Sequence, residues 1–209
     1  QAAPDAALAP LIAQALDVDA AQVVLKTRAR QRGTAQYGRD ASHAEAFAVQ
    51  EGGLRFEVRL DAYLDTGLFL DHRLTRARLG GLAEGKPFLN LFGYTGSATV
   101  HAALGGATAT TTVDVSETYL TRAQANLALN GFGGPLHQTV EADCLEWLRR
   151  SQERYGLIFV DPPTFSNARH QKRTFDVQKD HPELLRLAMK HLARSGVLVY
   201  SNNFRKFKL

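Results

Sequence analysis

Three aspartates, Asp114, Asp143 and Asp161, each stand at the end of an apolar, strand-like run in this 209-residue chain, in "TTTVDV", "HQTVEAD" and "GLIFVDP". A carboxylate at such a position can accept hydroxyl hydrogen bonds, stabilise a neighbouring positive centre or orient a reacting group. It can equally cap the helix that follows, a common role for aspartate. Just upstream, "FLNLFGYTGS" is broken by Gly93 and Gly96. Their G-x-x-G spacing matches neither the dinucleotide fingerprint nor the phosphate-binding P-loop, and taken alone it reads as a tight turn. Pro87 to Thr121 contains no Lys or Arg, although the chain carries a net charge of +4. Backbone amides can hold a pyrophosphate without cations. Even so, carboxylates gathered without cations suit a ligand with ribose hydroxyls and a positive centre better than they suit an anionic nucleotide.

The segment "DPPTFS", Asp161 to Ser166, suggests a second kind of chemistry. Two prolines fix two φ angles and remove two donors, and they push Asp161 toward an extended backbone. Phe165 beside this stiff loop reads either as a core residue or as a platform on which an extruded base stacks. Lys26, Arg28, Arg30 and Arg32 alternate along "LKTRARQRG". On a strand they share one face, fit either to follow a phosphate backbone or to guard an edge against aggregation. Arg169, His170, Lys172, Arg173 and Lys179 form a second basic group after "DPPTFS", with a solvated loop as its plainer reading.

These residues need elements to position them. From residue 86, apolar runs alternate with helical stretches such as "SETYLTRAQANLALNG", which Ser116 caps at its start and Gly131 follows at its end. Strands apolar along their whole length, alternating with helices, specify an α/β fold with a parallel sheet covered on both faces. Ligands on such sheets bind outside the carboxyl ends of the strands, where the three aspartates fall. Residues 1–62 have a different texture. A helical "PDAALAPLIAQALDV", a strand in "AQVVLKTRARQRGTAQY" and a hairpin turning at Gly52–Gly53 suggest a small α+β appendage, with the main domain over 63–209. S-adenosylmethionine combines the adenosine and the positive sulfonium that the aspartate rim asks for.

The ordered set "DAYLDTGLFLDHR", "FLNLFGYTGSATVHAALGGA", "TTTVDVSETYLTRAQANLALNG", "EADCLEWL" and "LIFVDPPTFSNARHQKRTFDVQKDH" resembles the successive motifs of class I S-adenosylmethionine-dependent RNA methyltransferases. It is similar above all to the RlmK-type domain at the C-terminus of bacterial bifunctional 23S rRNA methyltransferases, from about Lys26 to the last residue. The resemblance implies a Rossmann-like sheet and S-adenosylmethionine as cofactor. It implies that Phe92, Gly93, Tyr94, Thr95 and Gly96 pass the methionine part and that Asp114, with Val115 and Ser116, takes the ribose. Asp143 and Cys144 would lie by the adenine. Asp71 and Arg73, in "LDHR", would line the same site; Arg73 could pair with the methionine carboxylate or with a surface acid. Asp161, Pro162 and Phe165 would carry the acceptor side. The implied acceptor is guanine N7 in 23S rRNA; Thr164, set between the prolines and the aromatic residue, departs from the signature of amino-methylating enzymes and argues against guanine N2, the alternative. N7 carries an in-plane lone pair, so no general base is needed. The family places an RNA-binding THUMP domain and a second methyltransferase upstream and further strands after "GVLVYSN", so the resemblance implies a sheet incomplete at its C-terminal side.

Composition bounds these readings. With 44% hydrophobic and 22% charged residues the chain reads as a globular protein. It has no run long enough to span a bilayer, and its first residues lack the basic start of a secretory signal; we expect a cytoplasmic protein. The lone cysteine excludes an internal disulfide and a multi-cysteine metal site. The only methionine is Met189, so the chain is expected to be a piece of something longer. Two other classes stay open on the residues alone: a nicotinamide dehydrogenase, which lacks its glycine fingerprint here, and an RNA-binding module without catalysis.

Overall fold

The computed structural model describes residues 5–25, 46–60, 65–166 and 174–209. The chain divides into two compact units, one of residues 1–46 and 59–66, the other of 47–58 and 67–209. In the smaller unit, helix α1 (Asp5–Leu16) matches the expected helix. The segment expected to open a strand at Ala21 instead begins with a 3-10 turn, Ala20–Gln22. Asp19 accepts from the Ala21 amide at 2.8 Å and Gln22 reaches back to the Asp19 amide, a capping box that outcompetes extended backbone there. The rest of that segment, with Lys26, Arg28, Arg30 and Arg32, lies outside the described residues.

The larger unit opens with the hairpin of β1 (Phe47–Glu51) and β2 (Leu54–Val58). Gly52 and Gly53 take φ of 59° and 80°, as a two-residue turn between twisted strands requires. Sequence texture groups this hairpin with residues 1–62, but its packing assigns it elsewhere. Leu54, Phe56 and Val58 alternate inward along β2 and bury against Leu68, Val100, Ala103 and Leu127. A 3-10 turn, Leu70–His72, leads into α2 (Arg73–Leu82). Then come β3 (Pro87–Leu91), α3 (Ser97–Leu104), β4 (Ala109–Asp114), α4 (Glu117–Leu129), β5 (His137–Glu141), α5 (Cys144–Arg150) and β6 (Tyr155–Val160). After the short β7 (Phe165–Ser166) and β8 (Phe175–Asp176) come α6 (Val177–Lys190) and β9 (Leu192–Tyr200).

The main sheet has the order β5-β4-β3-β6-β9, every pair parallel, as the alternating pattern predicts. Residues of period two divide between its faces. Leu89, Leu91, Ile158 and Val160 pack toward residues of α5 and α6, while Phe88, Leu157 and Phe159 pack toward Leu79, Ala98 and Ala102 of α2 and α3. Burying each such side chain contributes about 1.5 to 3 kcal/mol, so the central strands β3 and β6 are the least tolerant of polar substitution. Helices α2 and α3 approach so closely that a Cβ on Gly105 would lie 1.9 Å from the Gly80 carbonyl oxygen. Ser116 accepts from the Tyr119 amide at the start of α4, and Gly131, at φ 80°, follows its end, both as the sequence predicts. Strand β3 pairs with β4 on one side and β6 on the other, so the chain reverses its direction of travel across the sheet there. Crevices outside such a switch point are the usual ligand sites of α/β sheets.

Candidate active site

The loop leaving β3 is built under strain. Phe92 and Tyr94 take positive φ of 58° and 48°, which costs a residue with a Cβ of order 1 to 3 kcal/mol and persists only where the surroundings enforce it. Four hydrogen bonds enforce it here. The Phe92 amide donates to the Cys144 Sγ at 3.3 Å, Gly93 to the Val113 carbonyl at 3.0 Å, Tyr94 to the Asp114 Oδ2 at 2.9 Å and Gly96 to the Gly93 carbonyl at 2.8 Å. Gly93 lies so close on β4 that a Cβ would stand 2.2 Å from the Thr112 Cγ2. The Tyr94 ring lies against Phe69 at 5.1 Å and edge-on to Tyr119 at 4.6 Å. The Thr95 side chain points away from the rim: it is fully buried and donates to the Gly67 carbonyl at 2.6 Å.

The three aspartates occupy the same edge of the sheet in different states. Asp114 is buried; its Oδ1 accepts from the Ser116 amide at 3.0 Å and its Oδ2 from Tyr94. Burial pushes its carboxyl above the ordinary range, and the amides of Tyr94, Ser116 and Val115 work against that shift. A carboxylate has about four acceptor positions and three amides point at this one, so the group can still accept from a ligand hydroxyl. Asp143 takes the capping role, its Oδ1 accepting from the Glu146 amide at 3.0 Å at the start of α5. Cys144 is buried, its Sγ 3.7 Å from the Val113 carbonyl. Burial, helped by Asp114 and Asp143, raises its thiol well above the usual value. The cysteine therefore braces the glycine loop from within the core, and its side chain is not at the rim.

Asp161 caps no helix. Its Oδ2 lies 3.5 Å from His72 Nε2, with the two side chains 30% and 20% exposed. Burial pushes its carboxyl up, His72 and a hydrogen bond from Ser201 pull it down, and Asp71 adds to the rise. Asp71 and Arg73, the members of "LDHR" that the sequence points to, are both exposed, and among the described residues Arg73 has no ion-pair partner. Sequence reasoning misses His72, between them. Its presence in that segment is the available signal, but its partner lies far along the chain.

Pro162 is buried and Pro163 exposed. Thr164 Oγ1 donates to the Asn203 Oδ1 at 2.7 Å, tying the loop after β6 to the segment after β9. Phe165 is 53% exposed in β7, which excludes the core reading and leaves its ring accessible. Phe175, opposite Ser166 in the β7–β8 pair, is buried and packs on Phe92 at 5.3 Å, so β8 is held against the glycine loop. Arg169, Lys172 and Arg173 lie outside the described residues. A separate cleft of about 760 Å³ is lined by Arg149, Glu153, Arg154, Arg186 and Lys190. Its cations stand near the carboxyl ends of α5 and α6, where they complement the helix dipoles.

The donor set at the rim fits S-adenosylmethionine. It offers a carboxylate with a free acceptor position beside a strained loop, a second carboxylate one switch point away, and no Lys or Arg between Pro87 and Thr121 to repel a sulfonium. Relatives agree with that fit. Residues 7–205 match the model of a family described as S-adenosylmethionine-dependent methyltransferase. The chain is 57% identical over 196 residues to a ribosomal RNA large subunit methyltransferase K/L of Vibrio cholerae, a match covering 94% of this chain and 28% of that protein. It is 56% identical over 198 residues to the protein of that name from Pseudomonas entomophila, covering 95% of this chain and 27% of that protein. Among solved structures it is similar to SMU.776 complexed with SAH, at 36% identity and a TM-score of 0.72 over 81% of this chain and 44% of that one. With its parallel sheet, its switch-point loop and a family match over most of its length, the chain belongs to the S-adenosylmethionine-dependent methyltransferases.

Proposed function

We propose that this chain methylates guanine N7 in 23S ribosomal RNA. The observation that carries the reading is the stiff Asp161–Thr164 loop, with Phe165 exposed at its end, leaving β6 on the same sheet edge at which the strained Phe92–Gly96 loop leaves the neighbouring β3. The bound cofactor supplies an electrophilic methyl group on a sulfonium; the remaining work falls to the protein. Asp114 accepts the ribose hydroxyls, with Val115 and Ser116 beside it, and the loop backbone from Phe92 to Gly96 passes the methionine part. The α5 start at Asp143 borders the adenine, and Arg73 pairs with the methionine carboxylate. An extruded guanine stacks on Phe165, an interaction worth about 1 to 3 kcal/mol. Asp161 and Pro162 hold the base so that its N7 lone pair faces the methyl. No proton has to leave before attack, so alignment supplies most of the rate, an effect that can reach roughly 7 to 11 kcal/mol.

The relatives, ribosomal RNA large subunit methyltransferases K/L, support ribosomal RNA as the substrate, and the chain spans about 28% of their length. We infer a larger protein, working in the cytoplasm, in which a THUMP domain and a second methyltransferase precede this chain. Lys26, Arg28, Arg30 and Arg32, with Arg169, Lys172 and Arg173, grip phosphates around the target. The test is to incubate the purified chain with S-adenosylmethionine and unmodified 23S rRNA, digest the RNA and identify the methylated nucleoside by mass spectrometry. 7-Methylguanosine is expected. N2-methylguanosine would overturn the N7 assignment, and RNA binding without methylation or any response to S-adenosylhomocysteine would favour a binding module.

A further inference from the structure

Asp161 cannot orient a base unless something orients Asp161. Prolines fix the backbone that follows it, but its side chain is free to rotate about two bonds, and a partly buried carboxylate needs partners to keep one rotamer. The groups that face it come from two elements: His72 and Asp71 from the 3-10 turn before α2, and Ser201 and Tyr200 from the end of β9. Asp71 and Tyr200 offer no positive charge, and Ser201 offers one hydroxyl. His72 alone brings a cationic form, with Nε2 3.5 Å from Oδ2.

The imidazole is itself fixed. It is 20% exposed and stands edge-on to the Phe159 ring, whose centroid is 6.1 Å away on β6, two residues before Asp161. The turn carrying it is anchored from behind. Arg76 Nη1 donates to the Phe69 carbonyl at 2.8 Å while its Nε and Nη2 hold both oxygens of Glu51 at 2.7 Å. A ring held by a core strand and a turn held by a buried ion pair make a rigid support for a carboxylate.

We propose that His72 is a positioning residue for methyl transfer, holding the Asp161 carboxylate in the rotamer that meets the acceptor base. This rests on the acceptor role proposed above for Asp161. On this view the "LDHR" segment serves the acceptor side through its histidine.

The experiment compares wild type, His72→Gln, His72→Leu, Asp161→Asn and the His72→Leu/Asp161→Asn double variant. Calorimetric titration with S-adenosylhomocysteine reports the cofactor site and the fold. Single-turnover methylation of unmodified 23S rRNA at saturating S-adenosylmethionine reports the acceptor side. Cofactor affinity should stay within about threefold in the two His72 single variants, while His72→Leu slows transfer on the order of 10²-fold, the usual cost of a misplaced reacting group. His72→Gln, which keeps a donor, should recover most of that loss. In the Asp161→Asn background, His72→Leu should cost nothing more. Wild-type transfer by His72→Leu, a full additional loss in the double variant, or lost S-adenosylhomocysteine affinity would each overturn the proposal. Wild-type transfer by Asp161→Asn would instead sink the acceptor role of Asp161.

Discussion

Asp114 and Asp161 bring the same functional group into two different settings. Asp114 accepts two backbone hydrogen bonds that shape the glycine loop, whereas Asp161 faces a histidine and a serine. Asp114→Asn keeps the size but places an amide where two donors already point. S-adenosylhomocysteine should bind roughly 10- to 100-fold more weakly, a loss of about 1.4 to 2.7 kcal/mol, within the range for a hydrogen bond to a charged group. Calorimetry checks this, and unchanged affinity would remove Asp114 from the cofactor site. The aspartates themselves are legible in sequence, because strand ends in an α/β pattern are where chemistry sits. Their states are not. Asp143 is a cap and Cys144 a core brace because each depends on what packs beneath the loop, and the cysteine's partner, Phe92, is far away in sequence.

The hairpin, α2 and α3 meet at a buried ionic cluster that no local pattern reveals. Arg76 pairs with both oxygens of Glu51, and His101 Nε2 lies 3.2 Å from Glu51 Oε1. Burial alone would raise the Glu51 carboxyl, but the hydrogen bonds and charges of Arg76 and His101 outweigh it and leave it lowered. Burial lowers the His101 imidazole, Glu51 opposes this, and Arg76 reinforces it. His101 is therefore neutral near pH 7 and donates from Nε2 to an acceptor-only carboxylate, stacked on Phe56 at 5.7 Å. Both groups have folded pKa values below their unfolded ones. The stability they contribute is present above about pH 6.5 for His101 and 4.5 for Glu51, and is lost as pH falls through the lower folded values. Thermal melts from pH 7.5 to 4 should fall accordingly, and His101→Gln should flatten the part below pH 6.5. Arg76→Met leaves Glu51 charged and buried, so urea unfolding should show a loss of about 3 to 5 kcal/mol. A loss under about 1 kcal/mol would mean that water reaches the pair. Strands and helices are readable because period and caps are local. The hairpin's allegiance is not, since alternation reveals that β2 has an apolar face without naming what covers it.

Charge and length act on the molecule as a whole. The net charge of +4 is unevenly spread, with no cation from Pro87 to Thr121 and alternating cations from Lys26 to Arg32. If those residues neutralise phosphates, replacing Lys26, Arg28, Arg30 and Arg32 with Gln should flatten the salt dependence of RNA affinity by roughly 0.7 to 0.9 in log–log slope for each phosphate left without its cation. An unchanged slope would take them out of the interface. Among the described residues no helix is long and apolar enough to cross a membrane. The parallel sheet and its switch point follow from the alternation of apolar runs, whereas the meeting of His72 with Asp161 depends on the turn before α2 coming to rest at the end of β6. The cofactor seat is tested most directly by a crystal structure of the chain with S-adenosylhomocysteine. We expect the ribose hydroxyls about 3 Å from the Asp114 carboxylate and the sulfur facing Asp161. A ribose bound away from Asp114, or a sulfur turned from Asp161, would contradict it.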